Sequence, residues 1–198
     1  MMAIVVDKAK KRQTIALACK ELVINEDIRS LTISKITSHA GIGKGSFYEY
    51  FENKEDLVFE LAQILMGEYN TLMEIKLSET KDKLEKLKLF ASFFYDEKYS
   101  ELRKLYNEFA AIALVSPNKK MQEFQMECFN LYSSWLEQIL SEDTNEAEKK
   151  NLKQLSKMLI SSVKGIYITC VSTGNSDKIK DEIDSFIEFI HYSNGEKK

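Results

Sequence analysis

A single proline, Pro117, occurs in the 198 residues of this chain. Proline lacks a backbone N–H and clashes with the preceding turn of a helix, so a chain almost without it can form long helices. Glycine is scarce too, and three of the seven glycines stand together at Gly41, Gly43 and Gly45. No stretch alternates apolar and polar residues as a half-buried strand does. The sequence therefore predicts an all-α fold.

Apolar residues recur at helical spacing along most of the chain. The pattern, with Asp7, Thr32 and Asn53 as N-caps, predicts helices over residues 8–25, 33–39, 44–51, 54–76, 80–96, 99–115, 118–140, 146–173 and 177–192. The first three form a small N-terminal head, and the fourth links it to a larger C-terminal helical bundle. We therefore predict two domains, a head at residues 1–53 and a body at residues 54–198.

Charge is divided unevenly between these parts. Residues 1–54 hold nine Lys and Arg against six Asp and Glu, a net charge of +3, whereas the remainder holds 19 against 25, a net charge of −6. A basic front on an acidic body indicates that the front meets an anionic partner. The basic run near the N-terminus is either a solvated helix start or a phosphate contact, and the sequence leaves both open for Lys8, Lys10, Lys11 and Arg12.

Residues 32–51 have the pattern of a helix-turn-helix, two short helices joined by a glycine turn. Gly41 can adopt the left-handed conformation that the turn needs, and Ile42 is placed to pin the turn. Phe47 and Phe51, four residues apart, can anchor one side of the second helix. Its other side would offer polar groups to DNA, namely Lys44, Ser46, Tyr48, Glu49 and Tyr50.

The segment AGIGKGSFYEYFENKEDL at residues 40–57 resembles the signature of the tetracycline-repressor (TetR) family. With the first helix and residues 31–36, the resemblance covers about residues 8–60. It implies a ligand-responsive repressor that binds double-stranded DNA as a homodimer on a palindromic operator. The DNA contacts that it implies are Thr32, Ser34, Lys35, Lys44, Gly45, Ser46, Tyr48, Tyr50 and Lys54. The chain departs from the family pattern at Thr37, usually alanine, at Gly43, usually serine or threonine, and at Tyr50, usually histidine.

The body is rich in aromatic residues, and in similar proteins it encloses a pocket for a small, apolar or amphipathic effector. Candidate lining residues are Phe94, Tyr106, Phe109, Trp135 and Tyr167. The helix at 146–173 has apolar or small residues on two sides, which suits burial between the body and a second copy. We therefore expect a homodimer through residues 146–192, built as a four-helix bundle.

Several other classes find no support in the sequence. No apolar run approaches the roughly 20 residues that span a bilayer, and the three widely spaced cysteines suit a reducing compartment, so we expect a cytoplasmic protein. The local sequence around His39 and His191 builds no nucleophile–base pair, and no complete metal-ligand pattern occurs, so we expect no enzyme, metal or cofactor. Three alternatives stay open: a helical ligand-binding or assembly protein that does not read DNA, a transcriptional activator, and a helical enzyme with an unrecognised cofactor.

Overall fold

The structure is a computed structural model that describes residues 7–115, 119–142 and 151–195. These ranges form helices and turns and contain no strand, so the predicted all-α fold is confirmed. The α-helices of the described ranges are α1 (Lys8–Ala18), α2 (Lys20–Asn25), α3 (Ile33–Ala40), α4 (Lys44–Tyr50), α5 (Lys54–Glu79), α6 (Lys83–Ala91), α7 (Ser100–Val115), α8 (Lys119–Ser141), α9 (Leu152–Ser172) and α10 (Ile179–Gly195).

The helix bounds agree closely with the sequence pattern at most ends. The predicted N-caps are all present: the side chains of Asp7, Thr32 and Asn53 each accept a backbone N–H one turn into the following helix. Two predicted helices were wrong in extent. The first helix is divided at Cys19 into α1 and α2. The helix expected over 80–96 begins only at 83, because the carboxylate of Asp82 accepts the Glu85 N–H at 2.8 Å and starts the helix there. It ends at Ala91 and is followed by a 3-10 turn at Ser92–Phe94.

Two predicted features lie outside the described residues, namely the break at residues 116–118 and the start of a helix at 146. The helix predicted over 177–192 begins as an α-helix at Ile179, directly after a short 3-10 turn at Ser176–Lys178.

The first compact unit comprises the described residues of Met1–Thr71 and Glu101–Asn118. It holds α1 to α4, most of α5, and α7. The ring of Phe59 on α5 stacks on that of Phe109 on α7, with centroids 5.4 Å apart and planes 9° apart. Lys104 on α7 donates to the carbonyl oxygen of Ile24, at the end of α2, at 2.5 Å. Side chains under 2% exposed in this unit include Ile36, Phe47, Leu57 and Leu61.

The second compact unit comprises the described residues of Leu72–Ser100 and Lys119–Lys198. In it α8 packs against α9, α9 packs against α10, and α6 packs against both α8 and α10. Large side chains under 2% exposed in this unit include Met73, Leu87, Leu136, Leu159, Ile160 and Ile183. The predicted functional domains, 1–53 and 54–198, stay a prediction.

The cysteines are all free and buried. Burial raises the pKa of Cys19 to about 11, so this thiol is neutral near pH 7. In the described ranges, no group of three or more His, Cys, Asp and Glu side chains is arranged to hold a metal ion. None of the helices described is both long and apolar enough to span a bilayer.

Gly41 closes α3 in the left-handed conformation, with φ 65° and ψ 33°. A Cβ there would meet no neighbour, so the cost of Gly41→Ala is conformational, and we expect it to lower the free energy of unfolding by about 1–2 kcal/mol. The matched control is Gly67→Ala inside α5, also with open space, which should raise it by about 0.5–1 kcal/mol. Urea denaturation of both variants measures the difference, and equal effects would contradict the conformational argument.

Candidate nucleic-acid interface

The turn between α3 and α4 is held by the main chain. The N–H of Gly41 donates to the carbonyl of Ser38 at 3.4 Å, and the N–H of Ile42 donates to that of Thr37 at 3.0 Å. These bonds satisfy carbonyls at the end of α3, which the helix itself leaves without donors. The side chain of Ile42, expected to pin the turn from a buried position, is half-buried.

One side of α4 is buried and the other faces outward. Phe47 is fully buried and Phe51 is 2% exposed, and their ring centroids lie 5.3 Å apart. On the opposite side Tyr48 is 61% exposed, with its ring edge-to-face against Phe47 at 5.4 Å. The remaining predicted contacts on this helix are exposed at Lys44 and Gly45 and half-buried at Ser46 and Tyr50. The helix therefore presents the predicted polar surface.

The start of α3 carries the other predicted contacts. The hydroxyl of Thr32 accepts the N–H of Lys35 at 3.3 Å and so caps the helix. Thr32, Ser34 and Lys35 are all exposed. The ammonium group of Lys35 forms an ion pair with Glu26 at 2.6 Å. An exposed pair of this kind is worth little, so Lys35 can exchange its partner for a phosphate at small cost.

Lys54, the ninth predicted contact, is differently placed. Its Nζ donates to the carbonyl oxygens of Ile28, Arg29 and Leu31, at 2.8, 3.0 and 3.0 Å. These residues belong to the loop between α2 and α3. The side chain is half-buried. The ammonium group of Lys54 is thus engaged by the main chain directly before Thr32.

Arg12 joins α1 to the far end of α4. Its guanidinium donates to Asp56 and Glu60 on α5, each at 2.6 Å at the shortest, and to the carbonyl oxygen of Tyr50 at 2.5 Å. Its Cζ also lies 4.6 Å from the ring centroid of Phe51. The carboxylate of Asp56 in turn accepts the N–H of Glu52 at 3.1 Å. One cation therefore satisfies the last carbonyl of α4 and ties that helix to the first turns of α5.

The electrostatics of Arg12 agree with this geometry. Burial acts to lower its pKa, but hydrogen bonds and charge from Asp56 and Glu60 outweigh burial and raise the pKa. The sequence left two interpretations open for the basic run, a solvated helix start or a phosphate contact, and Arg12 fits neither. Sequence reasoning missed this role because an arginine after three lysines looks solvated. The acidic first turns of α5 were the available signal for a partner.

The charges around the α2–α3 loop are paired at the surface. Asp27 and Arg29 form an ion pair at 2.8 Å, and hydrogen bonds from Arg29 lower the pKa of Asp27. Arg29 has a side chain 88% exposed. This exposed arginine provides a contrast to Arg12, whose side chain is 24% exposed.

The predicted effector-lining residues are divided between the two compact units. Tyr106, half-buried, and Phe109, buried, belong to the first unit. Phe94, Trp135 and Tyr167 are buried in the second unit. There the ring centroid of Phe94 lies 5.4 Å from that of Tyr167, and Trp135 lies at the same distance from Tyr132. That these five residues line an effector pocket stays a prediction.

Comparison with known proteins identifies the helix-turn-helix segment. Residues 16–61 match the family described as bacterial regulatory proteins, tetR family. The fatty acid metabolism regulator protein of Bacillus subtilis (strain 168) is 34% identical over 85 residues, which are 43% of this chain and 44% of that protein. The alignment thus spans less than half the length of this curated relative.

Solved structures share the fold over most of the chain. The regulator FadR from Bacillus subtilis, in complex with stearoyl-CoA, covers 88% of this chain and 96% of its own, with 22% identity and a TM-score of 0.61. A putative regulator from Saccharomonospora viridis, in complex with choline, covers 90% and 96%, with 15% identity and a TM-score of 0.73. A TetR-family regulator from Cytophaga hutchinsonii covers 94% and 97%, with 16% identity and a TM-score of 0.71. At these identities the likeness concerns the fold alone.

The Arg12 network predicts a difference between two arginines. Arg12→Met should lower the free energy of unfolding by about 1–3 kcal/mol, because Asp56 and Glu60 would keep their half-buried charges without the donor. Arg29→Met, which removes only an exposed pair, should change it by less than about 0.5 kcal/mol. Chemical denaturation followed by circular dichroism measures both. A loss in Arg12→Met as small as the one expected for Arg29→Met would contradict the stabilising role of the Arg12 network.

Proposed function

We propose, because residues 16–61 match the tetR family of bacterial regulatory proteins, that this chain is a cytoplasmic, ligand-responsive transcriptional repressor. It acts as a homodimer on a palindromic operator. The observation that carries the proposal is the outward polar side of α4, held by the burial of Phe47 and Phe51 on the other side. A short helix anchored in this way can enter the major groove of DNA.

The proposed contacts to DNA have two different functions. Side chains on α4 reach base edges and nearby phosphates, and those at the start of α3 contact phosphates that fix the register of the protein on the duplex. Gly45, without a side chain, lets α4 approach the groove closely. The contacting residues are Thr32, Ser34 and Lys35 on the α3 side, and Lys44, Gly45, Ser46, Tyr48 and Tyr50 on α4. Lys54 is not counted among these contacts, because three carbonyl oxygens engage its ammonium group.

The proposed dimer is supported by an exposed stripe on α9. Residues three and four apart share one side of a helix. Of those at 158, 161, 165 and 168, Met158 and Ile168 are 56% and 62% exposed, and Gly165 leaves room for close approach. On α10, Phe189 is 67% exposed and Tyr192 is 59% exposed. Apolar side chains of this size on neighbouring helices favour burial against a second copy of the same surface.

We propose an amphipathic acyl thioester as the effector. Support comes from the relative named as a fatty acid metabolism regulator and from the FadR structure with stearoyl-CoA. The aromatic side chains of the second unit, among them Phe94, Trp135 and Tyr167, suit the acyl chain. The buried hydroxyl of Ser133 on α8 has no hydrogen-bond partner and could accept or donate a bond to a polar group of the ligand.

The proposed switch acts through α5. This helix contributes residues up to Thr71 to the first unit and residues from Leu72 onward to the second. Two recognition helices in successive major grooves must lie about 34 Å apart, the pitch of the duplex. An effector that shifts α5 would change this spacing and weaken DNA binding, and DNA must then weaken effector binding by the same factor.

Mutation of the outward side of α4 tests DNA binding. DNA selected from a random pool by the wild-type protein serves as operator, and binding is followed by fluorescence anisotropy over a range of KCl. Tyr48→Ala and Lys44→Ala should each weaken binding roughly 10- to 100-fold, and sedimentation should find two chains on each duplex. Lys81→Ala, an exposed lysine of the second unit, is the matched control and should bind as wild type does.

The alternatives predict other results. A protein that selects no DNA and binds random duplex with no preference would be a ligand-binding or assembly protein instead. Selection of a palindrome followed by increased transcription from a reporter that carries it would identify an activator. Wild-type affinity in both Tyr48→Ala and Lys44→Ala would contradict the proposed role of α4.

The effector proposal is tested with stearoyl-CoA as the probe. It should quench or shift the fluorescence of the single tryptophan, Trp135, and should lower operator affinity by about tenfold or more. Coenzyme A without the acyl chain, and choline, are the controls and should do neither. Unchanged fluorescence and unchanged DNA affinity with stearoyl-CoA would remove the acyl thioester from consideration while leaving the DNA-binding proposal intact.

A further inference from the structure

The ammonium group of Lys54 has no donor left for a phosphate. It carries three N–H bonds, and the structure directs one to each of the carbonyl oxygens of Ile28, Arg29 and Leu31, at 2.8–3.0 Å. A phosphate contact, which the family resemblance implies, would require some of these bonds to break. The loop carbonyls would then lose the cation that satisfies them.

The loop has a reason to depend on this cation. Carbonyl oxygens carry partial negative charge, so three of them directed at one point repel each other unless a cation lies between them. Ile28 and Leu31 are each 2% exposed, which fixes the loop on both sides of the cluster. The loop therefore cannot relieve the repulsion by turning its carbonyls to water without exposing these side chains.

The loop leads directly into the start of α3. Leu31 donates its N–H to Ile28 at 3.2 Å, and Thr32, the next residue, caps α3 and accepts the N–H of Lys35. The cap and the first turn of α3 hold the proposed phosphate contacts of that helix. Lys54 therefore acts on these contacts indirectly, through the buried loop residues Ile28 and Leu31 and the cap residue Thr32.

The position of Lys54 in its own helix supports the same conclusion. It is the first residue of α5, a helix of 26 residues, where the helix dipole disfavours a cation. Its neighbours Glu55 and Asp56 suit that end of the helix. The three carbonyl oxygens stabilise a lysine at this position and offset the unfavourable interaction of its charge with the helix dipole.

We propose that Lys54 is a positioning residue for operator recognition: it holds the α2–α3 loop and thereby the cap of α3 in the DNA-binding arrangement, and it contacts no phosphate itself. The inference rests on the proposed DNA-binding function. Loss of the Lys54 contacts should therefore lower the affinity for the operator sequence and leave unchanged the number of phosphates that the protein neutralises.

The first test uses the full chain without DNA. Lys54→Met keeps most of the side-chain length and removes the three donors, and amide hydrogen exchange is followed at Leu31, Lys35 and Ile36. We expect exchange at these amides to be about tenfold faster, the factor that corresponds to the loss of one charge-assisted hydrogen bond. Lys44→Met, an exposed lysine on α4, is the matched control and should exchange as wild type does.

A second variant separates the geometry from the charge. Lys54→Arg retains a positive charge, but a planar guanidinium directs its donors apart and cannot aim three of them at one cluster. Exchange at Leu31 should therefore stay fast in Lys54→Arg. Exchange at the wild-type rate in this variant would show that charge alone suffices, and it would overturn the inference.

The second test measures salt dependence with the selected operator and with random duplex. In Lys54→Met, operator affinity should fall about tenfold, affinity for random duplex should stay unchanged, and the slope of log affinity against log salt should equal that of wild type. In Lys44→Met the slope should fall by about one, as for a lost phosphate contact. A slope lower by about one in Lys54→Met, or no loss of operator affinity, would overturn the inference. A wild-type protein that prefers no DNA would overturn the proposed function instead, and the exchange rates would still decide the Lys54 contact.

Discussion

The burial of Phe47 and Phe51 is the constraint on which the rest of the first unit depends. The helix α4 has seven residues, with Phe47 inside it and Phe51 directly after its last residue, and a helix this short does not persist alone in water. Its stability and its direction therefore both come from the two rings, which are almost fully inaccessible to solvent. Because the rings occupy one side, the polar side chains have only the outer side available. The outward surface of α4 is thus a consequence of hydrophobic packing.

Short helices also leave carbonyl groups without donors at their ends, and this chain satisfies several of them with cations. Lys104 donates to the end of α2, Arg12 to the end of α4, and Lys54 to the loop that follows α2. The positive charge of the first unit consequently has two parts. One part holds the main chain together, and the other, which includes the exposed Lys8, Lys10, Lys11 and Lys44, is available to an anionic partner.

The second unit meets different physical demands. Its helices α8, α9 and α10 pack through large apolar side chains, yet α9 and α10 keep exposed apolar residues on another side, Met158, Ile168 and Phe189 among them. Exposure of this kind is costly in water unless another surface covers it. The aromatic residues of the interior and the unpartnered hydroxyl of Ser133 give the same unit the chemical character that an amphipathic ligand requires. Regulation and dimerisation are therefore both proposed for this unit.

Much of the fold was determined by the sequence alone. The near absence of proline, the helical spacing of apolar residues and the capping side chains of Asp7, Thr32 and Asn53 are local features, and local features decide where helices begin and which side they bury. They also predicted the anchored and outward sides of α4. Only the tertiary structure decided the roles of individual charges. Arg12 and Lys54 look in sequence like solvated or phosphate-binding cations, but their partners lie between 23 and 48 residues away along the chain. Which oxygen a long side chain reaches depends on distances that exist only once the helices have packed, and no local pattern encodes them.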